Sequence, residues 1–269
     1  AALACLDLLV KLGLDKRNIF VSDIAGVLYE GRTEEVNPYN ARYMQKTDAR
    51  TLGDIISGAD IFLGVSAPGV LKPEMVATMA DAPIIFALAN PEPEIRPEVA
   101  REAKPDAILA TGRTDYPNQV NNVLCFPYIF RGALDVGATA INDEMKMACV
   151  HALASLTEAE SDETVIEAYG LEELSFGPES LIPKPFDPRL LVLLAPAVAK
   201  AAMDTGVATR PIEDFEAYRL KLVDFVFRSG TVMKPVFERA AQDPKRVVFA
   251  EGESYRVLRG VQSSVDEGI

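Results

Sequence analysis

No run of apolar residues reaches the roughly 18 to 20 that a bilayer span requires, and the opening AALACLDLLVKLGL lacks the basic start of a secretory signal. A membrane partner is not expected, and a cytoplasmic location fits. Basic runs stop at the pairs Lys16-Arg17 and Lys245-Arg246, which read as solvated turns before the next strands. With a formal net charge of −13 and a pI near 4.7, the surface has no basic patch to offer a phosphate backbone, so nucleic acid is excluded as a partner. Cysteine is scarce: Cys5, Cys125 and Cys149 are odd in number, widely spaced and without a C-x-x-C pair. Neither a disulfide framework nor a zinc knuckle is suggested, and a reducing compartment fits. The only histidine, His151, follows Met147 by one turn of a helical pattern and has no visible acid-base partner, so it reads as a partly buried packing residue. Asp143 and Glu144 open the same helix, where they complement its dipole. The glycine fingerprint of dinucleotide-binding folds, G-x-G-x-x-G, is also absent.

What the chain has is alternation. Its 269 residues, 49% hydrophobic and 25% charged, suffice for one large domain or two ordinary ones. After the amphipathic helix AALACLDLLVKLGL, closed near Gly13, comes the short run NIFVSD (18–23), then a helical stretch near 52–58. ADIFLGVSAP, the helix KPEMVATMA, PIIFALANP, the helix RPEVAREAK and AILATGRTD follow. Short apolar runs separated by helices of about ten residues are the sequence form of βαβ units and a buried parallel sheet. The fold class is therefore α/β, a Rossmann-like parallel sheet with flanking helices. Each apolar run ends in small or polar residues: Asp23, Ser66-Ala67-Pro68, Ala89-Asn90-Pro91 and Thr111-Gly112. Ligands bind beyond the carboxyl ends of such strands, so the four junctions are expected to line one crevice.

From Val123 the character turns helical, in NDEMKMACVHALASLT (142–157), PRLLVLLAPAVAKAAMDTG (188–206) and IEDFEAYRLKLVDFVFRSG (212–230). The last is rich in large apolar residues and reads as a connector. A further strand, RVVFAEGES, is expected after Pro244, followed by the helix YRVLRGVQSSVDEGI. One β-α unit cannot bury its own faces, so this stretch reads as the truncated start of another α/β domain.

Within TGRTDYPNQVNNVLCFPYIF (111–130), four side-chain amides, Asn118, Gln119, Asn121 and Asn122, stand against the apolar run Val123 to Phe126. A buried amide left unpaired costs roughly 1 to 3 kcal/mol, so each needs a partner. Asn118 and Gln119 read as loop hydrogen-bonders. Asn121 or Asn122 sits well to cap the following helix, or else to hold a ligand.

GRTDYPNQVNNVLCFPYIFRGALDVGATAINDEMKMA, with ALANPEPEI, DIAGVLYEGR, ADIFLGVSAPGVL and SFGPESLIPKPFDPRL, resembles the nicotinamide-binding half of bacterial malic enzyme, in the long form that carries a C-terminal phosphate-acetyltransferase-like domain. PKRVVFAEGESYRVLRGVQ resembles the opening of that fused domain. The resemblance implies an NAD(P)-binding domain over 1–210, lacking its N-terminal strand and glycine motif, a helical linker over 211–243, and the truncated acetyltransferase-like start over 244–269. It implies metal-dependent oxidative decarboxylation of malate to pyruvate and CO2 with reduction of NAD or NADP. The catalytic Lys and Tyr and the ligands of Mg2+ or Mn2+ lie upstream in the family, so none is assigned in this segment and the segment alone is expected to be inactive. Substrate binding falls to Asn90, Asn121 and Asn122, and cofactor binding to Asp23, Ser66, Ala67, Asn90 and Asn121. The bland alternative for Ser66 and Ala67 is a tight turn, and for Asp23 a turn or cap residue.

Arg32 falls near the cofactor edge by the same resemblance, although an Arg after a Gly turn is usually solvent-exposed. Seventeen residues past Asp23, where NADP-using relatives tend to carry Lys, this chain has Asn40. Arg42 or Lys46 are the substitutes in reach. Asp23 and Asn40 lean to NAD, the relatives with the fused domain lean to NADP, and the choice stays open. Cys125 is a small core filler that would make a nicotinamide site sensitive to alkylation. The expected partners are malate and pyruvate, a second copy of the chain in a homo-oligomer, and an acyl-CoA effector acting through the C-terminal domain. Two other readings exist: a regulatory or assembly segment that binds acyl-CoA without catalysis of its own, and another nicotinamide enzyme such as an amino-acid dehydrogenase. The blocks NPEPEI and PNQVNNVLCFP tell against the second.

Overall fold

Three of the apolar runs become the strands β3 (Ile61–Gly64), β4 (Ile84–Ala87) and β5 (Ile108–Thr111) of a parallel sheet in that order. The computed structural model describes residues 1–159, 175–242, 246–254, 257–258 and 261, with no side-chain description for 227–238, 241 and 242. Register aligns Gly64 with Ala87 and Ala87 with Thr111, so the three carboxyl ends lie level at one edge. The sheet is buried more completely on one face than the other. Phe62, Ile85 and Leu109 are buried side by side, while their neighbours Ile61, Ile84 and Ile108 are exposed or half-buried.

Short helices cross between the strands. α2 (Leu52–Ile56) is started by Asp54, whose carboxylate accepts the N–H groups of Arg50 and Thr51. α3 (Pro73–Val76) and α4 (Pro97–Ala103) each begin on Pro, where the missing N–H has no intrahelical partner to lose. Val76, Met79, Ile95 and Ala100 pack with Phe62, Ile85 and Leu109 into one core. Burying such side chains contributes roughly 1.5 to 3 kcal/mol each.

Among the described residues, the remaining α-helices are α1 (Ala2–Lys11), α5 (Phe126–Asp135), α6 (Asp143–Glu158), α7 (Arg189–Asp204) and α8 (Phe215–Gln242). α7 packs against α5 and α6. Gly132 lets α5 approach α7 closely, since a Cβ there would lie 2.4 Å from the Ala195 carbonyl oxygen. The chain forms two compact units, Ala1–Thr209 and Arg210–Ile269.

Several expectations are corrected. NIFVSD does not join the sheet. Only Ser22–Asp23 is strand (β1), paired antiparallel with Gly26–Val27 (β2) in a separate two-stranded ribbon, and Lys16–Asn18 is a 3-10 turn. The tight return at Gly26, φ +93°, brings the chain back on itself before it can extend. Val247, Val248 and Phe249 form no strand and are exposed, because β-branched residues need a hydrogen-bonded neighbour to hold an extended run, and none lies beside them among the described residues. Most of YRVLRGVQSSVDEGI lies outside the described residues. α8 runs on past Gly230 to Gln242. His151 lies on the exposed side of α6, not in its packing. No described helix is long and apolar enough to cross a membrane.

Candidate functional site

The turns beyond β3 and β4 are held by one buried acid. Glu94 is fully buried, and its Oε1 accepts the Ser66 N–H at 2.7 Å and the Ser66 hydroxyl at 3.3 Å. Its Oε2 accepts the Ala89 N–H at 2.9 Å, so a single carboxylate ties two neighbouring strand ends together. Charge-assisted bonds of this kind are the strong ones. The carboxylate reaches that place because residue 64 is Gly: a Cβ there would sit 2.6 Å from the Glu94 carboxyl carbon. Sequence reasoning passed over Glu94, one of the acids in NPEPEI. The available signal was Gly64 inside an apolar run, since a strand glycine often marks close approach of another group.

This arrangement decides what the predicted cofactor residues can present. The N–H groups of Ser66 and Ala89 are committed to Glu94, so Ser66 and Ala67 offer an exposed backbone turn and not a pair of donors. Asn90 follows at once, exposed, joined to Pro91 through a cis peptide bond. Beyond β5 the chain doubles back: Thr111 donates its N–H to the Asn118 carbonyl and accepts from the Val120 N–H. Arg113 donates to Glu92 at 3.1 Å and bidentately to Asp115 at 2.9 and 2.7 Å, which links this loop to the turn beyond β4. The Asp115 carboxylate beside it raises the Arg113 pKa further, so the guanidinium is a fixed positive charge at the sheet edge.

The four amides separate cleanly. Asn118 is buried and spent on backbone, donating to the Leu109 and Pro178 carbonyls at 3.0 and 2.7 Å and accepting the Leu181 N–H at 2.8 Å. Gln119 is half-buried and forms a backbone bridge with Thr111. Asn121 caps the 3-10 turn Asn122–Leu124, its side-chain oxygen accepting the Val123 N–H at 3.0 Å. Asn122 is exposed. Among the described residues, the side chains of Asn90 and Asn122 and the amide nitrogen of Asn121 make no hydrogen bond. Asn121 therefore has the capping role and a donor to spare.

Asp23 does not end a strand of the parallel sheet, which corrects the expectation of four junctions on one sheet edge; three of the four share it. It sits on the β1–β2 ribbon and is gripped by Arg32, whose Nη2 lies 2.6 and 2.7 Å from its two carboxylate oxygens. Arg32 is buried, contrary to the solvent-exposed reading, and its other donors go to the carbonyls of Gly26, Val27 and Glu34. Asp23 Oδ1 also takes the Ala25 N–H, while Oδ2 has room for one more donor. Asn40 is buried as a loop staple, accepting the Asn37 N–H and donating to the Glu35 carbonyl. Arg42 is engaged by Asp7, whereas Lys46 is exposed and without a partner among the described residues.

Comparison with known proteins fits this geometry. The model of the malic enzyme NAD-binding domain matches residues 10–169, more than half of the chain. The NADP-dependent malic enzyme of Salmonella typhimurium is 61% identical over 270 residues, covering 100% of this chain and 36% of the relative. The NAD-dependent malic enzyme of Rhizobium meliloti is 60% identical, with 100% and 35% covered. The crystal structure of malic enzyme from Pyrococcus horikoshii superposes with a TM-score of 0.72 at 35% identity, covering 88% of this chain and 53% of that one. The chain thus spans about a third of the length of the curated relatives it matches. With the family model over more than half of the chain and close relatives of this identity, the chain belongs to the malic enzyme family.

Proposed function

We propose that the complete protein oxidatively decarboxylates malate to pyruvate and CO2 with NAD or NADP as oxidant, this chain supplying the cofactor-binding half. The observation that carries the reading is the set of uncommitted amides on Asn90, Asn121 and Asn122, on the loops that follow level parallel strand ends in a chain of this family. When bound, the oxidised nicotinamide supplies the acceptor for the hydride that leaves C2 of malate. Asn90 and the Asn121-Asn122 pair hold the malate carboxylate and the nicotinamide amide. Neutral donors orient a carboxylate without adding a fixed cation that would oppose its loss as CO2. Asp23, already oriented by Arg32, accepts a ribose hydroxyl at Oδ2. Ser66 and Ala67 border the cofactor through their exposed turn.

A divalent metal belongs to the reaction as a Lewis acid. Among the described residues no three His, Cys, Asp or Glu side chains are grouped to hold an ion, so no step is assigned to the metal here. The resemblance puts its ligands, and the Lys and Tyr that move protons, in upstream sequence. NAD and NADP remain alternatives, since relatives of both kinds are equally similar. Lys46 is the cation best placed in sequence and exposure to meet a 2′-phosphate, because Arg42 is already paired.

A cytoplasmic location, a homo-oligomer and an acyl-CoA effector acting through an acetyltransferase-like domain from Pro244 onward complete the proposal. A purely regulatory segment finds no support in the relatives. The test is absorbance at the reduced-nicotinamide band, on the complete encoded protein, with malate, magnesium or manganese, and each cofactor in turn. Reduction that requires both malate and metal and yields pyruvate is the expected result. Silence from a folded protein shown to bind the cofactor sinks the proposal.

A further inference from the structure

Cys125 and Cys149 stand 24 residues apart in sequence, yet their sulfur atoms approach to 3.0 Å. Widely spaced cysteines had argued against a disulfide framework; the packing of α5 beside α6 brings two of the three together and leaves Cys5 exposed elsewhere. The pair is asymmetric. Cys149 is 1% exposed on α6, between the buried Met145 and Leu156. Cys125 is half-buried at the start of α5, immediately after the turn Asn122–Leu124 that Asn121 caps. We propose that Cys125 and Cys149 are an oxidisable dithiol, a modification site whose closure to a disulfide displaces the Asn121-Asn122 turn and lowers turnover.

The chemistry follows from the arrangement. Either sulfur can donate across this contact; with the S–H on Cys149, the bond draws the Cys125 thiol below its ordinary value and pushes that of the buried Cys149 up. Position at a helix start also favours a thiolate at Cys125. Cys125, reachable and thiolate-prone, is the attacking sulfur, and Cys149 resolves it. With hydrogen peroxide as the oxidant, the Cys125 thiolate attacks one peroxide oxygen, the O–O bond breaks, and hydroxide leaves as a sulfenic acid forms. The Cys149 sulfur then attacks the Cys125 sulfur, the S–O bond breaks and water departs. In sum, two thiols and one peroxide give one disulfide and two waters, with two electrons passing to the peroxide.

A disulfide bond is about 2.0 Å long, so closure draws the sulfurs about 1 Å nearer. Cys125 is the residue through which that movement reaches the turn carrying Asn122. A displacement of about 1 Å at a substrate-holding group is enough to cost on the order of 100-fold. This half of the inference rests on the malate-binding role proposed for the Asn pair.

The experiment treats the full-length encoded protein with hydrogen peroxide, blocks remaining thiols, and digests it with trypsin without reductant. The expected product joins peptide 114–131 to peptide 147–189 with loss of two hydrogens. Malate oxidation falls roughly tenfold to 100-fold and returns with dithiothreitol. Cys149→Ala, outside the binding loops, keeps its activity under reducing conditions and yields no crosslink. Both cysteines recovered as thiols, or Cys125 taken to sulfinic acid beside a reduced Cys149, overturns the dithiol. A crosslink that leaves malate kinetics unchanged overturns the coupling to the Asn pair. The peptide map reads the same whether or not malate is the substrate, so failure of the functional proposal is told apart from failure of this one.

Discussion

Glu94 and Asp23 each hold a turn, in opposite settings. Glu94 is fully buried and spends both oxygens on backbone N–H groups and a hydroxyl from two different strand ends. Asp23 keeps 31% of its side chain in water and leans on one buried guanidinium within a local ribbon. Each acid accepts three hydrogen bonds, so what separates them is access: burial shuts Glu94 away from a ligand, whereas the open site on Asp23 Oδ2 belongs to a side chain partly in water. Architecture and recognition thus fall largely to different residues: the acid that sets the strand-end turns is buried, and most of the groups proposed to meet ligand are exposed, with Asn121 serving both as a cap and as a spare donor. Asn118 against Asn122 repeats the contrast within one loop.

The sharpest way to break that division is Glu94→Ala. The buried Ala89 N–H and the part-buried Ser66 N–H lose their acceptor, and the expected loss of stability is about 2 to 4 kcal/mol in urea denaturation. A loss under about 1 kcal/mol would mean that water replaces the carboxylate without cost and that Glu94 is no staple. Asn122→Ala is expected to behave in the reverse way. Its stability should stay within about 0.5 kcal/mol of the parent, while kcat/KM for malate in the complete enzyme falls on the order of 100-fold. Cofactor dissociation should hardly move; an equal loss in malate turnover and cofactor affinity would count against the carboxylate role. Gly64→Ala comes next, because the new methyl meets Phe62 and the Glu94 carboxyl, both at 2.6 Å. The expected cost is about 1 to 3 kcal/mol, and additivity with Glu94→Ala would show that the two do not share a contact.

The parts of this design visible in sequence were those written in local pattern. Runs such as PIIFALANP carry the period and the terminating residues of a buried strand, and their level carboxyl ends follow from topology alone. Asn118 was legible as a loop hydrogen-bonder because amides beside an apolar run need partners. Glu94, Arg32 and Cys149 were not legible as they stand, since each is defined by a partner distant in sequence or by burial that charge and spacing do not report. NIFVSD misled for a related reason: β propensity was present, but the glycine turn at Gly26 used those residues in a ribbon.

The smallest expected effect belongs to Asp54, which does in water what Glu94 does in the core. Its Oδ2 accepts the N–H groups of Arg50 and Thr51 at 3.0 and 2.8 Å. Those backbone bonds hold its carboxyl below the ordinary value of 3.8. A carboxylate whose pKa is depressed on folding binds fewer protons folded than unfolded. Its contribution is therefore present above the unfolded value and is lost as pH falls through the folded one. Asp54→Ala should lower the urea midpoint near neutral pH by less than Glu94→Ala, because solvent can replace an exposed acceptor. The gap between variant and parent should then close as pH is taken below 3.8. A gap that persists unchanged into acid would show that Asp54 acts through packing and not charge, and would leave burial alone unable to explain why one carboxylate matters more than the other.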